Sequence, residues 1–289
     1  MNGIGRTVRD YGRMVRFTHS IFALPFALAS AAFASLSVAI TVRQVLWILV
    51  AMVAARNAAM GFNRLADAAI DARNPRTTTR EIPRGVLTRA QVALFVAALS
   101  AVFILAAGML NRTCLALSPV ALVIVFFYSY TKRFTWASQF FLGLALAVAP
   151  VGAWIAITGS VAWPPVLLGA AVLAWVAGFD IIYALQDIDF DRTEGLHSIP
   201  ERFGPSRSLL FARILHAGSV AALAGIYPLL PLHPVYFAGV LAVAAILVYE
   251  HTLVRPDDLS KVNVAFFTTN GIVSVVYLAT AALAAALRR

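Results

Sequence analysis

Six of the 13 acidic residues fall in two short windows, each closing a long apolar stretch: Asp67 and Asp71 in the first, Asp180, Asp187, Asp189 and Asp191 in the second. Carboxylates at the edge of apolar sequence are expensive to keep there and point to function. At about 100° per helical residue, Arg56, Asn63, Asp67 and Asp71 fall within about 80° of one another. Asp180, Tyr183, Asp187 and Asp191 do the same in the second window, and Asp189 faces the opposite side. Two stripes of oxygen ligands suit Mg²⁺, a hard cation that takes a few carboxylates together with substrate phosphates. The nearby connections offer Arg73, Arg76, Arg80, Lys132 and Arg133, side chains that fork onto or neutralise phosphate oxygens. Metal with cations implies a polyanionic ligand, most simply a diphosphate. The apolar surroundings imply that the rest of the ligand is a long hydrocarbon.

The elements that must position these groups follow from composition. The chain has 289 residues, 61% hydrophobic and 12% charged, with mean hydropathy +0.83. A soluble domain carries about 25% charged residues, so a water-soluble globular protein is excluded and the solvent is largely lipid. Apolar stretches near 17–42, 45–71, 90–110, 113–131, 137–158, 164–185, 208–230, 234–253 and 263–287 are each long enough to span a bilayer core as helix. Open strands would leave backbone groups unsatisfied in lipid, and the alternation of an outer-membrane barrel is missing. The expectation is an all-α polytopic membrane protein, one domain over 1–289, built as a bundle of nine transmembrane helices. The first stretch reads as a span rather than a cleaved leader.

Lys and Arg in the connections number sixteen on the N-terminal side and four on the other, namely Arg43, Arg112, Arg288 and Arg289. This asymmetry places the N-terminus in the cytoplasm and the C-terminus outside, with both acidic windows in a cytoplasm-facing cleft and the chain in a bacterial inner membrane. The net charge of +10 then follows from topology and needs no nucleic-acid partner. Cys114 is the one cysteine, so there is no intrachain disulfide and no Cys-based zinc site. The histidines, His19, His197, His216, His233 and His251, lack metal-ligand spacing, and no obligate protein partner is evident.

Asn63-Arg64-Leu65-Ala66-Asp67-Ala68-Ala69-Ile70-Asp71 reads NxxxDxxxD, followed by Arg76-Thr77 and Arg80-Glu81-Ile82-Pro83-Arg84-Gly85. Asp180, Tyr183, Asp187 and Asp191 through Gly195 read DxxYAxxDxxxDxxxG. With Tyr128-Ser129-Tyr130-Thr131-Lys132-Arg133, the pattern resembles the UbiA family of intramembrane aromatic prenyltransferases over nearly the whole chain. The resemblance implies Mg²⁺ held by Asn63, Asp67 and Asp71 on one helix and by Asp187 and Asp191 on another. It implies Arg80 and Lys132 on the diphosphate, with Arg133 beside them, Arg56 and Asp180 deeper in the cleft and Tyr183 next to it. A polyprenyl diphosphate ionises, and the ring carbon ortho to a phenol hydroxyl attacks the allylic cation. Proton loss then restores aromaticity in a cavity that excludes water.

His197 stands where many relatives have Lys, and Arg80-Glu81-Ile82-Pro83 where Arg-Pro-Leu-Pro is common. With Phe17-Thr18-His19-Ser20-Ile21-Phe22-Ala23-Leu24-Pro25-Phe26, these features resemble the 4-hydroxybenzoate polyprenyltransferase branch. The expected acceptor is 4-hydroxybenzoate, for ubiquinone-type quinones, with 1,4-dihydroxy-6-naphthoate for menaquinone as the alternative. Arg16 and His19, at the mouth of the first stretch, offer a contact for an aromatic carboxylate.

Plainer readings compete. Asp189 reads as a loop or cap carboxylate, Arg56 as a structural partner of Asp67 or Asp180, and Arg64 as a snorkelling side chain. Arg73, Arg76, Arg84 and Arg89 serve topology alone equally well. An ion-coupled secondary transporter would place its carboxylates near the midplane and show repeats. A CDP-alcohol phosphotransferase would gather Asp and Gly into one continuous motif. Neither pattern is present in this sequence.

Overall fold

The computed structural model describes residues 10–12, 14 and 22–288. Among these the chain is helix and turn, apart from one bridge between Arg255 and Asp258. In chain order the helices are α1 (Leu24–Ala34), α2 (Val42–Ala66), α3 (Ala68–Asp71), α4 (Arg89–Leu110), α5 (Arg112–Thr131), α6 (Ser138–Thr158), α7 (Trp163–Ala184), α8 (Ile188–Thr193), α9 (Ile199–Ala224), α10 (Val235–Leu253) and α11 (Asn270–Ala286). A 3₁₀ turn, Leu185–Asp187, joins α7 to α8, and a π-turn, Val264–Thr269, leads into α11.

Eight helical segments among the described residues are long and apolar enough to cross a membrane. Where the sequence implies a first span over 17–42, the described helix is α1, with 11 residues, short of the roughly 20 that a bilayer core needs. It stops where the Ser35 hydroxyl donates back to the Ala32 carbonyl at 2.6 Å, a local bond that competes with continuing the helix. The nine expected spans are therefore, among the described residues, eight and this shorter apolar helix.

The helices begin where the side chains can cap them. Thr41 with Gln44 and Thr88 with Gln91 form reciprocal capping boxes at α2 and α4. Asn111 accepts from the Cys114 amide at α5, and Ser198 from the Glu201 amide at α9. In lipid no hydrophobic force drives helices together, so close contact decides the packing. α7 is the most enclosed span, packed along α6 and α9, with Trp175, Ile181 and Ile182 at most 1% exposed. Gly143 on α6 permits this approach: a Cβ there would lie 2.4 Å from the Leu173 carbonyl oxygen, so α6 and α7 meet backbone to backbone. The second acidic window thus rests on the best-braced helix of the bundle. α2, α4, α5 and α6 pack as neighbours beside it, and their ends carry the first window and the Lys132-Arg133 pair.

Candidate active site

Both motif helices bend at a motif aspartate. α2 ends at Asp67 (φ −93°, ψ 5°), and α3 restarts at Ala68. α7 tightens into its 3₁₀ turn, and Asp187 (φ −106°, ψ 3°) hands the chain on to α8. A straight-helix projection therefore describes Asn63 with Asp67 and Asp180 with Tyr183, but not the residues after the bends. After them, local geometry returns Asp71 and Asp191 to the same side. At Gly195 (φ 64°), in the left-handed region that favours glycine, the chain turns back so that the Leu196 amide donates to the Asp191 carbonyl at 2.8 Å.

The result is one polar cavity of about 220 Å³ lined by Asn63, Asp67, Asp71, Asp180, Tyr183, Asp187 and Asp191, with Arg76, Arg80, Lys132 and Arg133. Each of four carboxylates faces its own cation. Arg80 Nη1 lies 2.6 and 2.7 Å from the two Asp71 oxygens. Arg133 Nη2 reaches Asp67 at 2.9 Å and also donates to the Ala66 carbonyl at 2.7 Å. Arg76 forks onto Asp187, with Nε 3.0 Å from Oδ1 and its Nη2 on Oδ2, and its Nη1 donates to the Tyr183 hydroxyl at 2.7 Å. Lys132 Nζ lies 3.3 Å from Asp191, which also accepts from the Ser198 hydroxyl at 2.9 Å. Asn63 donates to Asp67 at 2.9 Å.

The surroundings set the charge states. Burial raises the Asp67 carboxyl above its ordinary range, outweighing the opposing pull of Arg133. Burial would lower Lys132, but Asp191, Asp187 and Asp180 outweigh it and hold the ammonium protonated. Arg76 behaves likewise, held up by Asp187 and Tyr183 against its own burial.

A second, apolar cavity of about 1020 Å³ adjoins the first, and Asn63, Arg76, Arg80, Tyr128, Asp180 and Tyr183 line both. It runs between α2, α4, α5, α6 and α7 to Leu110, Cys114 and Ala156 at the far ends of their helices. Arg56 lines this apolar cavity rather than the polar one. Asp189, on α8 beyond the bend, is exposed and lines neither cavity. Arg16 and His19 lie outside the described residues.

Arg76 is more central than its sequence context indicates. Nothing in a basic loop distinguishes a topological arginine from one that reaches across to a distant helix, except a spacing that keeps Arg76 and Arg80 one turn apart. Arg73 has a definite place too: its Nη2 and Nε lie 2.6 and 2.7 Å from Glu194 Oε2, tying the loop after α3 to the end of α8.

Among the described residues, no three His, Cys, Asp or Glu side chains converge into a ready metal cluster. The donor set nevertheless fits a hard cation: it is all oxygen, comes from the ends of two apolar helices and sets five carboxylates against four cations in one cavity.

A sequence profile described as the UbiA prenyltransferase family matches residues 23–272. The chain belongs to the UbiA prenyltransferase family. Among UbiA relatives, a protein named 4-hydroxybenzoate octaprenyltransferase from Nitrosospira multiformis is 30% identical over 77% of this chain and 76% of its own. One of the same name from Salmonella paratyphi C is 31% identical over 82% of each chain. The solved apo structure of a UbiA homolog from Aeropyrum pernix K1 superposes with a TM-score of 0.83 at 32% identity, over 91% of this chain and 96% of that one. A UbiA homolog from Archaeoglobus fulgidus, solved bound to GPP and Mg²⁺, shares the fold with a TM-score of 0.72 at 19% identity, over 96% of this chain and 100% of that one. The fold class is that of the UbiA structures, and the enzyme is a prenyltransferase.

Proposed function

We propose that this UbiA-family enzyme transfers a polyprenyl group from a polyprenyl diphosphate to the ring carbon ortho to the hydroxyl of 4-hydroxybenzoate, with Mg²⁺, for ubiquinone-type quinone biosynthesis. The observation that carries the reading is the junction of the two cavities: carboxylates and cations fill the polar one, and a hydrocarbon-sized apolar one opens directly onto them. The names of relatives at about 30% identity support the acceptor.

Asn63, Asp67, Asp71, Asp187 and Asp191 hold Mg²⁺, and Arg76, Arg80, Lys132 and Arg133 bind and orient the diphosphate oxygens. When bound, Mg²⁺ supplies charge neutralisation on the departing diphosphate. The C–O bond to the diphosphate breaks with its electron pair on oxygen, the acceptor ring carbon bonds to the allylic carbon, and Asp180, at the junction, takes the ring proton. Arg56, in the wall of the apolar cavity about two turns along α2 from Asn63, receives the acceptor carboxylate. The apolar lining keeps water from the cation. Single-domain organisation, nine spans, an N-terminus inside and C-terminus outside, and residence in a bacterial inner membrane complete the proposal.

The test gives the detergent-solubilised full chain Mg²⁺, a polyprenyl diphosphate and either 4-hydroxybenzoate or 1,4-dihydroxy-6-naphthoate. Alkylated 4-hydroxybenzoate is expected, abolished in Asp67→Ala and Asp187→Ala with folding intact. Turnover of the naphthoate alone would overturn the acceptor, and full activity in both variants would overturn the site.

A further inference from the structure

Behind the site wall lies a buried polar knot that the proposed reaction does not use. Asn270, at the start of α11, donates its side-chain amide to Glu250 Oε1 at 3.0 Å and to the carbonyls of Ala265 and Phe266 at 2.9 and 3.3 Å. Its carbonyl accepts from Trp175 Nε1 at 2.6 Å. Asn270 and Glu250 are fully buried and Trp175 is 1% exposed, so the knot joins α7, α10 and α11 away from solvent. Two of its bonds end on carbonyls of the π-turn Val264–Thr269. A π-turn is rare, is frequently found at functional sites, and pairs its backbone i→i+5 in place of the ordinary helical i→i+4 ladder. A buried amide that satisfies its carbonyls keeps the turn from relaxing into regular helix.

What this turn presents is Phe266. Its ring centroid lies 4.1 Å from that of Tyr183, 5.1 Å from Phe179 and 5.8 Å from Phe22. Phe266, Phe179, Tyr183 and Asp180 all line the apolar cavity, and of these Tyr183 and Asp180 also line the polar one, so Phe266 packs against the junction through Tyr183. Tyr183 in turn holds Arg76, whose guanidinium carbon also sits 5.0 Å from the Tyr183 ring centroid. Aromatic faces attract a cation yet offer it no lone pair to react with, which suits the wall beside an ionising allylic carbon.

We propose that Asn270 is a positioning residue for prenyl transfer: its amide fixes the π-turn, and the turn lays Phe266 against Tyr183 to complete the aromatic wall where the allylic cation develops. This inference rests on the prenyl-transfer reading of the site. Phe266 acts by touching the substrate, and Asn270 acts through Phe266.

A double-mutant cycle tests it, using the full chain with Mg²⁺, a polyprenyl diphosphate and 4-hydroxybenzoate. Asn270→Ala and Phe266→Leu are each expected to lower kcat about tenfold, equivalent to about 1.4 kcal/mol, with KM for the donor changed less than about twofold. The double variant is expected to be no slower than Phe266→Leu, because removing the support of an absent ring has no further effect. A variant that merely lost folded protein would multiply with Phe266→Leu, to about a hundredfold; that result, or wild-type kcat in either single variant, overturns the proposal. If Asn270→Ala does not fold, Asn270→Ser enters the cycle under the same criteria. Asp67→Asn and Asp187→Asn serve as controls. Should they keep full activity, the site reading itself fails and this inference falls with it; should they lose activity while the cycle multiplies, this inference alone fails.

Discussion

Arg76 makes the most demanding test of the site, because three of its interactions converge where the proposed reaction puts the leaving group. Replacing it with Ala removes the fork on Asp187, the hydrogen bond to the Tyr183 hydroxyl and the cation over the Tyr183 ring. Two consequences separate. For stability, Asp187 is left nearly buried without its partner, but the Arg76 side chain is 33% exposed, so solvent screening limits the loss to about 1–2 kcal/mol. For catalysis, a fixed donor aimed at developing negative charge is typically worth about 10²–10³-fold in kcat. Arg76→Ala is therefore expected to fold, melt a few degrees lower, and lose about two orders of magnitude in kcat. Arg76→Lys keeps the charge but not the fork, since one ammonium cannot hold Asp187 and Tyr183 together; it is expected to fall between, about tenfold below wild type. The assay follows product from labelled polyprenyl diphosphate under saturating acceptor, alongside a thermal melt. Arg76→Ala within about threefold of wild type in both kcat and donor KM would refute the reasoning, and Arg76 would then be a topological arginine that happens to reach Asp187.

Two further outcomes follow from particular contacts. Burial holds the Asp67 carboxyl protonated to higher pH than an ordinary aspartate, and a proton on it competes with metal. The apparent Mg²⁺ affinity is thus expected to strengthen as pH rises through the raised Asp67 pKa and to weaken as pH falls, a slope that Mg²⁺ titrations of Asp67→Asn should show flattened. Gly143→Ala would drive a methyl to 2.4 Å from the Leu173 carbonyl; α6 and α7 must separate, at about 1–3 kcal/mol, so the melting temperature and activity should fall together, whereas Gly218→Ala on α9, exposed, outside both cavities and with nothing within 4 Å, should lower neither.

Several features were determined by the sequence alone. Apolar runs of bilayer length dictate helices, because lipid offers the backbone no other partner. Carboxylates at about four-residue spacing at the ends of two such runs pick out the candidate site, although bends at Asp67 and Asp187 replace the straight helices that this spacing implies. Asn63, Asp67, Asp71, Asp180, Tyr183, Asp187, Asp191, Arg80, Lys132 and Arg133 do line one cavity. Arg56, on the same projected face, lines the adjoining apolar cavity instead, because it stands about two turns deeper on α2. Tertiary structure decided the rest. The bends at Asp67 and Asp187, the pairing of four of the carboxylates each with its own cation, and the reach of Arg76 to Asp187 across 111 residues all depend on which ends meet in space. The shape of the apolar cavity and the placing of Phe266 by Asn270 depend on five helices and a π-turn packed at once. A periodic pattern reports the face of one helix; which faces share a cavity is settled only when backbones approach as closely as α6 and α7 do at Gly143.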